Sequence, residues 1–258
     1  MEPQRLQPGR GWEWIKQGYA LFMKAPLLWI VLLMILFFAA IILSYVPVIG
    51  GPLATLLMPL MLAGLMHGCR TLEQGEELEL AHLFSGFYKQ TGRLITLGGI
   101  SLIGQYLILG VMMVTGGAAL VGILMSPQPD ADPAVLIEAL SGAIFAVSLG
   151  GALYLFLTAV IQFSTLLVYF NGAPPIQAMQ LAFRAFIYNI LPFLVYGIIF
   201  SLLAIFATLP LALGWLVLWP VSFTSLYACY RDIFPLVAEI SAAPQEGEAS
   251  SSEDQASL

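Results

Sequence analysis

Two glutamines stand among apolar residues, Gln105 in Ile103-Gly-Gln-Tyr-Leu107 and Gln162 in Val160-Ile-Gln-Phe163. An uncharged amide can donate two hydrogen bonds and accept two. In apolar surroundings it has two uses: a bond to a neighbouring helix, or a polar spot for part of an uncharged molecule. Other reactive side chains are sparse. The cysteines are Cys69 and Cys229 and the histidines are His67 and His82. His67-x-Cys69 is a fragment without further ligand spacing, so neither a metal nor a cofactor is expected. No His-Glu-x-x-His, paired Asp or Gly-x-Ser-x-Gly accompanies them. Hydrolytic chemistry lacks its usual groups, and the chain reads as non-enzymatic.

Composition sets the solvent for these residues. The 258-residue chain is 60% hydrophobic and 9% charged, with mean hydropathy +0.91. A soluble domain carries roughly 25% charged residues. Lipid must therefore surround much of this chain, and a helical span needs about 20 apolar residues. The fold class expected is all-α: a polytopic membrane protein of about six transmembrane helices with amphipathic interfacial helices. Apolar runs place spans at about 26–46, 52–69, 94–125, 145–170, 189–209 and 211–230. The first run is too long for a cleavable signal and lacks an Ala-x-Ala site, so it reads as retained.

The nine basic residues, Arg5, Arg10, Lys16, Lys24, Arg70, Lys89, Arg93, Arg184 and Arg231, all fall on one side of that layout. Basic segments resist translocation. This predicts a bacterial inner-membrane protein with both termini cytoplasmic, and both cysteines near that reducing side. The spans contain no Asp, Glu, Lys or Arg at mid-depth, which argues against a proton pump, a charged channel ring or a voltage sensor. The net charge of −6 comes largely from acids at 73–79 and in the last twenty residues. The basic residues are too few and scattered for a nucleic-acid surface.

Three segments of mixed helical pattern each precede an outgoing span: residues 12–24, Leu80 to Lys89, and Ile176 to Tyr188. In the first, Trp14, Tyr19, Leu21 and Phe22 can face lipid while Glu13, Lys16, Gln17 and Lys24 face water. Together the segments form a collar whose candidate contacts to lipid headgroups or a protein partner are Trp12, Trp14, Lys16, Lys24, Lys89, Arg93 and Arg184. The alternative is plain interfacial anchoring. Counting about 1.5 Å per residue from that side, Gln105 lies roughly 16 Å deep and Gln162 roughly 12 Å. Antiparallel neighbours can bring this candidate intramembrane pair together. A hydrogen bond between them would contribute about 0.6–2 kcal/mol.

The order segment, outgoing span, outer turn, returning span recurs three times. It allows either a threefold hairpin repeat or an ordinary six-span layout. Gly142, Ala146 and Gly150 form a small-residue stripe continued by Thr158 and Gln162, and Gly64-x-x-x-Gly68 forms another. Both permit close helix packing and leave self-association open. Pro59, Pro192 and Pro220 fall inside spans, as kinks or as breaks beside a binding site. Residues 1–11 read as a flexible N-terminus, 12–235 as the membrane domain, and 236–258 as a disordered acidic tail.

Three stretches are shared with a known group: Gly11-Trp-Glu-Trp-Ile-x-x-Gly-Tyr-x-Leu-Phe22 with Pro26 and Trp29; His82-Leu-Phe-Ser-Gly-Phe87; and Ser225-Leu-Tyr-Ala-Cys-Tyr-Arg-Asp-Ile-Phe234. On these the chain resembles a family of uncharacterised six-helix inner-membrane proteins of proteobacteria. More distantly it is similar to the membrane domain of some glycerophosphodiester phosphodiesterases, without their catalytic domain. The resemblance implies a fold and a location and carries no activity. Two functions remain: a protein organising membrane lipids, or a membrane or cytoplasmic protein partner, through the collar; and a small transporter or permeability factor for a neutral or lipid-like substrate.

Overall fold

The computed structural model describes residues 2–125 and 133–235, and its regular structure there is entirely helical. The helices are α1 (Arg10–Phe22), α2 (Pro26–Ser44), α3 (Gly50–Glu73), α4 (Thr91–Met112), α5 (Ala118–Met125), α6 (Pro133–Asn171), α7 (Pro175–Tyr188), α8 (Ile190–Thr208) and α9 (Trp215–Ile233). A 3-10 segment, Leu80–Phe87, precedes α4. Residues 236–258, read as a disordered tail, lie outside the described residues, as do residues 126–132.

Prolines set two starts: Pro26 opens α2 and Pro175 opens α7, where a missing N–H costs nothing. The third span, at about 94–125 longer than a bilayer needs, could tilt, break or project; it breaks. A π-turn at Met113–Gly117 separates α4 from α5, with Gly116 at φ 143°. Only glycine tolerates that backbone, and Gly116 lies directly against Gly142 of α6. Pro192 sits in the first turn of α8 and removes no helical bond, so the kink expected there is absent. Pro59 and Pro220 do lie inside α3 and α9.

Five described helical stretches are long and apolar enough to cross a membrane: α2, α3, α4 with its π-turn, α6 and α8. The expected sixth, α9, has the 19-residue length of α2 and α8. Its two tryptophans, two tyrosines, Arg231 and Asp232 keep its composition below theirs. By composition alone the count is therefore five.

The three hairpins pack cyclically. The 3-10 segment rests on α3, the returning helix of the first hairpin. α7 rests on α6, the returning helix of the second, and α1 rests on α9, the returning helix of the third. Each contact uses a small residue. Gly64 of α3 meets the Leu83 backbone, Ala178 and Ala182 of α7 are fully buried, and Gly18 of α1 meets Ser225 of α9. Arg231 follows Pro220 by the same eleven residues that separate Arg70 from Pro59. The three amphipathic segments thus occupy equivalent places, which favours the repeat over an ordinary six-span layout.

The small-residue stripes act within the chain. Gly142 meets Gly116 and Gly150 meets Met112, while Gly68 meets Leu78. The N-terminal residues, read as flexible, bond to the bundle. The Gln4 N–H donates to Ile233 O, the Leu6 N–H to Asn189 Oδ1, and Asn189 Nδ2 to Gln4 O.

Candidate functional site

The two glutamines line one cavity. It has a volume of about 280 Å³ between α3, α4 and α6, and its polar wall comprises Thr55, Ser101, Gln105, Thr158, Gln162 and Thr165. They do not bond each other. Gln105 Nε2 donates to Ser101 Oγ at 3.4 Å and Gln105 Oε1 accepts from Thr55 Oγ1 at 3.5 Å, both long. Gln162 makes no hydrogen bond among the described residues. The interhelical bond expected between them is replaced by a polar-walled space.

Gln162 also faces a second cavity of about 540 Å³, bounded by α1, α6, α8 and α9. Met58 and Gln162 line both spaces and so form the partition between them. The second space is walled by aromatic rings. Phe186 stacks on Phe193 at 4.1 Å between centroids, and Trp14 lies 5.3 Å from Phe193. Its polar groups are few and uncharged: Gln162, Ser222 and the adjoining hydroxyls of Tyr196 and Ser225. Apolar walls with a few polar groups are the usual chemistry of a small-molecule site.

The collar is organised differently from expectation. Trp14 and Phe22, read as lipid-facing, are 0% and 3% exposed. Gly11, Trp14, Ile15 and Gly18 share the buried face of α1 at helical spacing, so the Gly-Trp-x-Trp-Ile motif is a packing surface against α8 and α9. Trp14 Nε1 donates to Asp232 Oδ2 at 2.9 Å, and Arg10 Nε donates to the same oxygen at 2.7 Å. This bonding raises the Arg10 pKa further above its ordinary value. Trp12 does remain exposed.

Most of the basic residues have a partner within the chain. Lys16 pairs with Glu13 on its own helix at 2.7 Å. Lys24 Nζ donates to Leu72 O at 2.7 Å, and Arg93 donates to Gly172 O. Lys89 lies 5.1 Å over the Tyr169 ring, Arg70 over Phe170 and Arg5 over Tyr188. Arg231 pairs with Glu73, which also accepts from Tyr227 Oη at 2.7 Å. These partners tie several helix ends together, while Lys16, Lys24, Lys89 and Arg93 remain exposed. Of the predicted collar cations, only Arg184 has no such partner among the described residues.

Sequence reasoning missed Asp232, Glu73 and Asn189, which take these bonds. It also missed Thr55, Ser101 and Thr165 in the cavity wall. Ser101 and Gln105 carry a usable signal, four residues apart on one helix face. No group of His, Cys, Asp or Glu among the described residues could hold a metal ion.

Comparison with known proteins agrees with this architecture. The chain is 29% identical to a probable inner membrane protein of Burkholderia thailandensis. The alignment spans 252 residues, 87% of this chain and 90% of that protein. The chain is an all-helical, polytopic membrane protein. No family model matches it, and no solved structure matches it significantly. The distant likeness to the phosphodiesterase membrane domain gains no support from these comparisons.

Proposed function

We propose that this chain is a non-enzymatic inner-membrane protein, with both termini cytoplasmic, that binds a neutral lipid-like molecule in the paired cavities at Gln162. The observation that carries the reading is the amide of Gln162, with no side-chain hydrogen bond among the described residues, on the partition between two uncharged cavities. A neutral hydrogen bond contributes about 0.5–1.5 kcal/mol. A ligand hydroxyl, ester or amide would make one with Gln162, and the aromatic walls suit its hydrocarbon part. The absence of charge around both spaces favours an uncharged polar group.

Of the two functions left by the sequence, the geometry favours the lipid-like ligand over a collar that gathers headgroups, because most collar cations are already engaged. Movement of the ligand through the Met58–Gln162 partition is the transport version of the same reading. Met58 is unbranched and adaptable, which suits a partition that opens.

The test uses the tryptophans in the wall. Titrating the purified protein with a brominated monoacylglycerol should quench Trp14 and Trp219 saturably, because heavy atoms would enter their cavity. Gln162→Leu should weaken that binding about tenfold, the worth of one or two neutral hydrogen bonds. Linear, non-saturable quenching identical in wild type and variant would refute the reading.

A further inference from the structure

We infer that the groove between α4, α6 and α7 holds one anionic glycerophospholipid, with its phosphate on Arg184 and an acyl chain along α4 and α6. This site is separate from the Gln162 cavities and does not rest on them. The groove is the largest of those described, about 940 Å³, and no acidic residue lines it. Its wall is apolar apart from Gln180 and Arg184.

Three observations specify the occupant. The first is charge. Every other basic residue has an internal partner: a carboxylate, a carbonyl, an amide oxygen or an aromatic face. Arg184 is exposed and has none among the described residues. A planar guanidinium matches phosphate oxygens in a bidentate geometry.

The second is the pattern of α7. Ile176, Met179, Gln180, Phe183 and Arg184 follow one another at helical spacing and all line the groove. The opposite face, with Ala178, Ala182 and Ala185, is fully buried. One helix face therefore offers an apolar surface, with Gln180 one turn from Arg184 as a second donor to the same phosphate.

The third is the floor. Gly104 leaves α4 thin where Leu157 of α6 presses against it, and Leu107 is 66% exposed along the same wall. A furrow between two helices, running from a cation into the apolar zone, has the shape of an acyl chain below its headgroup. Basic pockets between membrane helices on the cytoplasmic side suit anionic lipid headgroups.

The experiment is native mass spectrometry of the intact protein from nanodiscs containing equal phosphatidylglycerol and phosphatidylcholine. Wild type should retain phosphatidylglycerol about fivefold over phosphatidylcholine, the effect of one cation near a membrane surface. Arg184→Gln should abolish the preference and Arg184→Lys should keep most of it. Leu107→Trp, which fills the groove at an exposed position, should reduce retention of both lipids. Added inorganic phosphate at millimolar concentration should not displace the bound lipid. Arg184→Gln has no folded-state partner to lose, so its thermal midpoint should match wild type. The inference is overturned if Arg184→Gln retains phosphatidylglycerol like wild type. Unchanged retention in Leu107→Trp, or displacement by inorganic phosphate alone, would overturn it as well.

Discussion

Trp14 and Asp232, 218 positions apart, are joined by a 2.9 Å hydrogen bond from the indole Nε1 to the carboxylate Oδ2. Arg10 closes on the same carboxylate. The first described helix is thereby fastened to the last described one, and this contact closes the cycle of three hairpins. α1 is a wall of the bundle and of the larger cavity, and its tryptophan is a structural wedge.

Removing this link should loosen the bundle. Asp232→Ala leaves the buried indole N–H without an acceptor and should cost about 2 kcal/mol. Arg10 can return to water, being partly exposed, so its pair adds little beyond that. Trp14→Phe keeps the ring and loses one bond, about 1 kcal/mol. Thermal unfolding in mild detergent should rank wild type, Trp14→Phe and Asp232→Ala in falling order. Equal midpoints would show that the link is idle.

Close backbone approach offers a second check. A methyl group on Gly18 would overlap Ser225, and one on Gly64 would overlap the Leu83 backbone. Gly18→Ala and Gly64→Ala should each destabilise by about 1–3 kcal/mol, the cost of overpacking. Gly110 has nothing within 4 Å of a new Cβ, so Gly110→Ala should be neutral or slightly stabilising. If all three variants melt alike, the segment-on-returning-helix packing is wrong.

Much of the fold was legible because its signals are local. Pro26 and Pro175 mark helix starts, a long apolar run marks α6, and the excess length of residues 94–125 left tilt, projection or the break that Gly116 supplies. The start of α9 was misplaced by four residues. Leu211 and Ala212 adopt left-handed backbone that neither residue type announces. The site was half legible. Gln105 and Gln162 stand out as polar groups in apolar runs, and depth counting brought them to one level. The fate of Trp14 was hidden, since an interfacial anchor and a buried wedge share the same helical pattern. Only Asp232, at the far end of the chain, decides between them. The internal partners of most cations were hidden for the same reason, since they lie far along the chain, as Gly172 does from Arg93.

The proposed orientation, with the basic end cytoplasmic, has a direct test. A green fluorescent protein fused after residue 235 should fluoresce, and alkaline phosphatase at the same point should be inactive, because both report the cytoplasm. The same phosphatase fused in the outer turn at Val48 should be active. The reverse pattern would invert the topology.

The free amide of Gln162 makes a stability prediction distinct from binding. Gln162→Leu removes an unpartnered polar group from an apolar setting, so the ligand-free protein should unfold at the same temperature or slightly higher. A large loss of stability would mean that Gln162 holds the bundle together.

The most direct measurement is organic extraction and mass spectrometry of whatever co-purifies with the intact protein from its native membrane. The account predicts an uncharged amphiphile near one molecule per chain in wild type, strongly reduced in Gln162→Leu and unchanged in Arg184→Gln. Finding no such molecule, or the same amount in wild type and Gln162→Leu, would contradict it.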